Sequence, residues 1–115
     1  MSDLLASARH QLQSSEPHSL RRACWLARAA LEVKIDELLS ARGVAATAAS
    51  ERAKLSCLEG VYSDDRTLAR RAEYVWSRLS EACHQHAYEL SPAYAEVAHL
   101  IELVSEVANT QLSHG

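Results

Sequence analysis

Apolar residues in this chain return every three or four positions, and the pattern breaks at only a few places. That spacing leaves packed helices as the fold, because a helix turns about 100° per residue and lays such residues along one face. The chain contains three glycines, two prolines and no phenylalanine. Ala and Leu fill most apolar positions, and both favour helix. β-branched residues never cluster into a strand-like run. The expectation is an all-α fold. It is an antiparallel bundle of four main helices plus a short N-terminal helix, forming one domain over 1–115 with its core over about 17–112.

The interruptions set the expected boundaries. A first helix runs over about 3–13, with Leu4, Leu5, Ala8 and Leu12 on one face. Ser14, Ser15, Glu16 and Pro17 break it, and Pro17 suits a first helical position because its missing N–H would have no partner there. A second helix runs over about 17–42 and stops at Gly43. Its core face is Leu20, Cys24, Ala27, Leu31 and Leu38, flanked by Ile35. A small-residue linker leads to a third helix over about 50–62, whose apolar content is Ala53, Leu55, Cys57, Leu58 and Val61. Ser63, Asp64 and Asp65 form a turn that can cap a fourth helix over about 65–90. Ser91-Pro92 then opens a fifth, carrying Val97, Leu100, Ile101, Val104 and Ala108 and fading near Leu112. Short connections imply that sequence neighbours run antiparallel.

Charge and cysteine usage narrow the function. The formal net charge is −3, so nucleic-acid binding would have to come from a local patch. Cys24, Cys57 and Cys83 are odd in number and widely spaced, which points to free buried thiols in a reducing compartment. No uninterrupted apolar run approaches the roughly 18 residues of a membrane span, and the N-terminus lacks the pattern of a signal peptide. No membrane partner and a cytoplasmic location are the resulting expectations.

The fourth helix, RTLARRAEYVWSRLSEACHQHAYEL, carries the candidate chemistry. Leu68, Ala72, Val75, Trp76, Leu79, Cys83, His86 and Leu90 fall on an apolar face. Arg70, Arg71, Tyr74, Arg78, Glu81, His84, Gln85 and Tyr88 fall on a polar arc. His86, inside the apolar face, reads as a core histidine satisfied by a hydrogen bond. His84 reads either as a surface histidine or as a functional one. An arginine can hold a phosphate through two parallel hydrogen bonds, and a histidine titrates near neutrality and can move a proton. Arg78 and His84 together would position a phosphodiester and exchange protons around it, with Tyr88 in support. Arg70, Arg71, Tyr74 and Gln85 would extend that surface as phosphate and base contacts. The plain alternative is a solvated face on which the arginines pair with Glu73 and Glu81. On one helix, Arg78 and His84 are about 120° apart, so meeting at one ligand needs inward-leaning side chains or a second subunit.

Two stretches, SLRRACWLARAALEVKIDELL and WSRLSEACHQHAYELSP, make the chain resemble the HEPN superfamily of small helical bundles over about 17–107. Members of that family often carry Arg followed after four to six residues by His, and Arg78-x5-His84 is similar. In the tighter Arg-x4-His-x-Tyr form, His86-Ala87-Tyr88 would match the second half, with Glu81 standing where that form has arginine. Leu79 stands where a polar residue is common. The resemblance implies a metal-independent endoribonuclease, often a toxin or defence effector, that cuts RNA in a cleft between two copies paired across the motif helices. It equally implies the family's degenerate relatives, which bind nucleic acid, nucleotides or proteins. The partners implied are a second copy, RNA, and a cognate antitoxin or effector protein.

Trp25 lies off the core face of the second helix, amid Arg21, Arg28, Glu32 and Asp36. It reads either as an interface anchor or as a side chain covered by a neighbouring helix. Glu32 and Asp36 lie one turn apart, yet Arg28 stands one turn before Glu32 and is its expected partner. Cys83, His84 and His86 match no closed zinc spacing. No Gly-rich phosphate loop, nucleophile elbow or His-Glu-x-x-His pattern occurs, so no metal or cofactor is expected. The alternative to the HEPN-like reading is a non-enzymatic helical module that docks a protein through Trp25 and the polar arc.

Overall fold

A computed structural model of the chain describes residues 2–16, 18–45, 48–83 and 94–109. Among these residues the chain forms helices only: α1 (Ser2–Gln13), α2 (Ser19–Ala41), α3 (Glu51–Val61), α4 (Arg66–Cys83) and α5 (Tyr94–Ala108). The all-α bundle expected from the periodicity is the fold observed. No helix among the described residues is long and apolar enough to cross a membrane.

The helix ends follow from local chemistry. Gly43 adopts φ +79°, which L side chains rarely tolerate, and closes α2 with two reverse hydrogen bonds. The Val44 N–H donates to the Leu39 carbonyl at 2.9 Å and the Gly43 N–H to the Ser40 carbonyl at 3.0 Å, the Schellman pattern. At the start of α3, Ser50 Oγ accepts from the Ala53 N–H at 3.2 Å. Ahead of α4, Asp65 Oδ1 accepts from the Leu68 N–H at 3.2 Å, as the turn residues lead one to expect. Pro17, Ser91, Pro92 and Leu112 lie outside the described residues.

Helix α2 is the axis of the bundle. It packs against all four other helices, and α1, α5, α4 and α3 follow one another around it. Cys24, Ala27, Leu31, Ile35 and Leu38 are fully buried, as the wheel predicts, and Ala23 and Ala30 join them. Leu20 is only partly buried against this core. From α4 come Leu68, Ala72, Val75 and Leu79, and from α5 come Val97, Leu100, Ile101 and Val104.

Cross-helix contacts fix the directions. Arg42 meets Asp64, and Trp76 meets Glu32 further back along α2, so α4 runs antiparallel to α2. Arg78 meets Glu96 and Arg71 meets Glu106, so α5 runs antiparallel to α4. The α2–α3 pair departs from the expected alternation. Lys54 Nζ lies 2.8 Å from Asp36, and the Val61 carbonyl accepts from Arg42 at 2.8 Å, so both helices advance in the same direction. The stretch between Ala41 and Glu51 is long enough to travel back along α2, at about 3.3 Å per extended residue against 1.5 Å per helical one.

That placement also corrects the reading of α3. Leu55 and Leu58 are buried, but so is Lys54, whose ammonium is held by Asp36 and, at 3.5 Å, by Glu51. Cys57 is exposed, against the expectation of three buried thiols, because its position turns away from α2 and α4; Ala53 is exposed as well. Cys24 and Cys83 are buried, and burial pushes the Cys24 thiol up to about 12.

Replacing Leu31, fully buried on the central helix, by alanine should cost about 3 kcal/mol, read as a lower urea midpoint with unchanged slope. A second test concerns Asp64. Its two carboxylate oxygens each accept from Arg42 at 3.2 Å, and that hydrogen bonding holds its carboxyl below the ordinary value. A group depressed in the folded state stabilises above its unfolded value, about 3.9, and loses that stabilisation as pH falls through the folded value. The stability gap between wild type and Asp64→Asn, present at neutral pH, should therefore close as pH drops below about 4. Urea denaturation across that range reads it directly.

Candidate functional site

The polar arc of α4 emerges where α4 packs on α5. The strong apolar stripe of α4 faces the core, which turns Arg70, Arg71, Tyr74 and Arg78 outward together. Thr67, Arg70, Arg71 and Tyr74 from α4 and His99 and Leu103 from α5 line a shallow depression of about 440 Å³. Tyr74 is 52% exposed. His99 had no place in the sequence-based site. It sits on the exposed side of α5, and only the packing of that helix on α4 brings it beside the arginines.

The arginines here differ in their partners. Arg71 Nη1 lies 3.0 Å from Glu106 of α5. Arg78 Nη2 donates to Glu96 of α5, and Arg78 Nη1 lies 4.0 Å from Glu81 on its own helix. Hydrogen bonding to Glu96 raises the already high pKa of the Arg78 guanidinium. Of the two acids expected beside the arginines, Glu81 reaches Arg78. Glu73 lines a neighbouring hollow with Arg66 and Arg70, and no carboxylate among the described residues makes an ion pair with Arg70. The dominant partners come instead from α5, which wheel spacing on α4 alone does not reveal. His84, Gln85, His86 and Tyr88 lie outside the described residues.

A second cluster forms where α2, α3 and α4 meet. Arg28 lies over two indole rings, 5.7 Å from the centroid of Trp25 and 5.3 Å from that of Trp76. Arg52 of α3 approaches Trp76 at 5.7 Å. Glu32 Oε2 organises the group, accepting from Arg28 Nε at 3.0 Å and from Trp76 Nε1 at 3.1 Å. The Arg28–Glu32 pair is the one the spacing predicts. Trp76 is half-buried by this arrangement. Trp25 is 50% exposed. Among the described residues, no three His, Cys, Asp or Glu side chains come together in a way that could hold a metal ion.

The two tryptophans should separate spectroscopically. Acrylamide should quench the fluorescence of Trp76→Phe, which keeps the exposed Trp25, far more steeply than that of Trp25→Phe. The Trp76→Phe change also removes the indole donor to Glu32 and should lower stability by about 1 kcal/mol.

Comparison of this chain with known protein families, with curated proteins and with solved structures finds no match.

Proposed function

We propose that this chain is a nucleic-acid-directed helical domain of HEPN-like build that grips RNA across the α4–α5 face. The observation that carries the reading is the convergence of Arg70, Arg71, Tyr74 and His99 on one open depression. Arginine forks match phosphate oxygens, and the tyrosine ring offers a stacking platform to an unpaired base. The carboxylates of Glu96 and Glu106 occupy guanidinium positions that a phosphate also fits. These pairs are solvent-accessible, and exposed ion pairs contribute little net stability, so phosphate can displace them.

In this reading RNA binding belongs to Arg70, Arg71 and Tyr74, while Arg78 stands at one end of the same face. Metal-independent cleavage, which the HEPN resemblance implies, would add Arg78 as the phosphate holder and His84 as the proton carrier, with Tyr88 beside them. A degenerate relative would bind through the same arginines without cutting. A non-enzymatic protein-docking module is the second reading, and the half-exposed, arginine-stacked Trp25 is what favours it.

Binding of a fluorescent single-stranded RNA tests the proposal. Wild type should bind with an affinity that falls steeply as salt rises, because phosphate neutralisation releases counterions. The double variant Arg70→Glu/Arg71→Glu should weaken binding by about 100-fold and flatten the salt slope, and Tyr74→Ala should weaken it by about tenfold. Wild-type protein that ignores RNA at low salt would defeat the reading and leave the docking module. Incubation with cellular RNA in chelator, beside Arg78→Ala and His84→Ala, then separates a nuclease from a binding relative. Cleavage lost in both variants marks the nuclease.

A further inference from the structure

A second hollow opens beside the α4–α5 depression, on the α3 side of α4. Helix α3 runs parallel to α2 and α4 antiparallel to it, so α3 and α4 form an antiparallel pair joined by a short turn. Glu59 near the end of α3, Ser63 in the turn, and Arg66, Arg70 and Glu73 on α4 line a hollow of about 350 Å³. All five residues are exposed. Arg70 lines both this hollow and the α4–α5 depression, so the two adjoin across one guanidinium. Among the described residues, Glu59, Arg66, Arg70 and Glu73 form no ion pair with each other or with any other group. Arg71 and Arg78, on the same helix, are each held by a carboxylate of α5.

Two carboxylates and two guanidiniums around one hollow disfavour simple ions. A phosphate attracted by Arg66 and Arg70 is repelled by Glu59 and Glu73, and a metal cation meets the reverse. A neutral planar group that accepts along one edge and donates along another suits both pairs. Of the bases of RNA, guanine has those edges. Its O6 and N7 accept together from an arginine fork, and its N1–H and N2–H2 donate side by side to a carboxylate. Uracil carries one ring N–H between two carbonyls, which a carboxylate meets unfavourably. Adenine and cytosine carry an amino group with no second donor beside it. The antiparallel pairing sets the acid of α3 across the hollow from the arginines of α4, so one ring can be met from both helices. Unpaired bases of RNA are read along these edges.

Resting on the reading of α4 as an RNA-binding face, we infer that the hollow between α3 and α4 takes a guanine base of the bound strand. Arg66 donates to its O6 and N7, and Glu59 accepts from its N1–H and N2–H2. Arg70, at the boundary of the two hollows, holds the phosphate next to that base. Glu59 and Glu73 keep phosphate itself out of the hollow. The face therefore prefers strands with guanine at one position.

Three fluorescent strands of equal length and charge test this: all uridine, the same strand with one central guanosine, and the same with inosine, which lacks the N2 amino group. Wild type should bind the guanosine strand about tenfold more tightly than the uridine strand, with inosine between them. Glu59→Gln removes a negative charge and should tighten uridine binding slightly, yet it should lower the guanosine preference to about twofold or less. Opposite signs on the two strands are not what a general charge effect gives. Arg66→Ala should lower the preference as well. Both changes are on the surface and should leave helical circular dichroism unchanged. Equal wild-type binding of guanosine and uridine strands overturns the inference and leaves the RNA reading standing. So does a guanosine preference that survives both variants. A wild type that binds none of the strands at low salt defeats the RNA reading, and the inference falls with it. Guanosine monophosphate in tenfold excess should not displace the guanosine strand, because it lacks the contacts to the α4–α5 face. Displacement at that ratio would assign the hollow to a free nucleotide and overturn its place on an RNA strand.

Discussion

Burial of α2 among the four other helices governs how each of them is placed. Ala23, Ala27 and Ala30 are fully buried on it, and side chains this small let neighbouring helices come close to its backbone. Leu31, Ile35 and Leu38 then supply the apolar volume that alanine lacks. Polar residues are nevertheless accommodated on this enclosed helix: Lys34 is buried on it, and Arg28 and Glu32 are partly buried as an ion pair, while Arg22 and Val33 are exposed.

The second constraint is the anchoring of the C-terminal end of α2. Arg42 donates to the Val61 carbonyl and to both oxygens of Asp64, and its guanidinium lies 4.0 Å from the centre of the Tyr62 ring. Tyr62, buried beneath it, donates its hydroxyl to the Leu38 carbonyl at 2.8 Å. One arginine therefore ties α2 to the turn between α3 and α4. The start of α4 is set by that turn, and the antiparallel register of α4 on α2 carries Trp76 to Glu32. With α4 so oriented, its polar arc can only face outward, beside α5.

Much of this was legible in the residues, because periodicity reports which side of a helix is buried. Cys24, Ala27, Leu31, Ile35 and Leu38 on α2 and Leu68, Ala72, Val75 and Leu79 on α4 were identifiable from spacing, as were Gly43, Ser50 and Asp65 at the helix ends. Periodicity says nothing about which helix lies against that side. The parallel course of α2 and α3 was hidden for this reason, and with it the burial of Lys54 and the exposure of Cys57. The candidate site divides along the same line. Arg70, Arg71, Tyr74 and Arg78 share a face of one helix and could be grouped from sequence. His99, Glu96 and Glu106 belong to that surface only through the packing of α5, which no spacing on α4 encodes.

A net charge of −3 repels RNA at long range, yet net charge describes the far field, and the proposed contact would act within a Debye length of the surface. What matters on the α4–α5 face is the order in which charges are met. The guanidinium of Arg70 makes no ion pair with a carboxylate among the described residues, whereas those of Arg71 and Arg78 already hold an oxyanion of the right shape. A carboxylate and a phosphate present oxygens to an arginine fork in similar geometry. Glu96 and Glu106 each hold one guanidinium nitrogen, and on the proposed reading that restraint would lower the ordering cost of binding. They also reduce the attraction of the resting surface for stray anions. A polyanion that engages several arginines at once can displace both carboxylates, while an isolated anion meets each pair alone. On the proposed reading, the acidic residues of α5 would favour a multivalent phosphate strand over an isolated anion, so an overall acidic bundle is compatible with contact to a nucleic-acid strand.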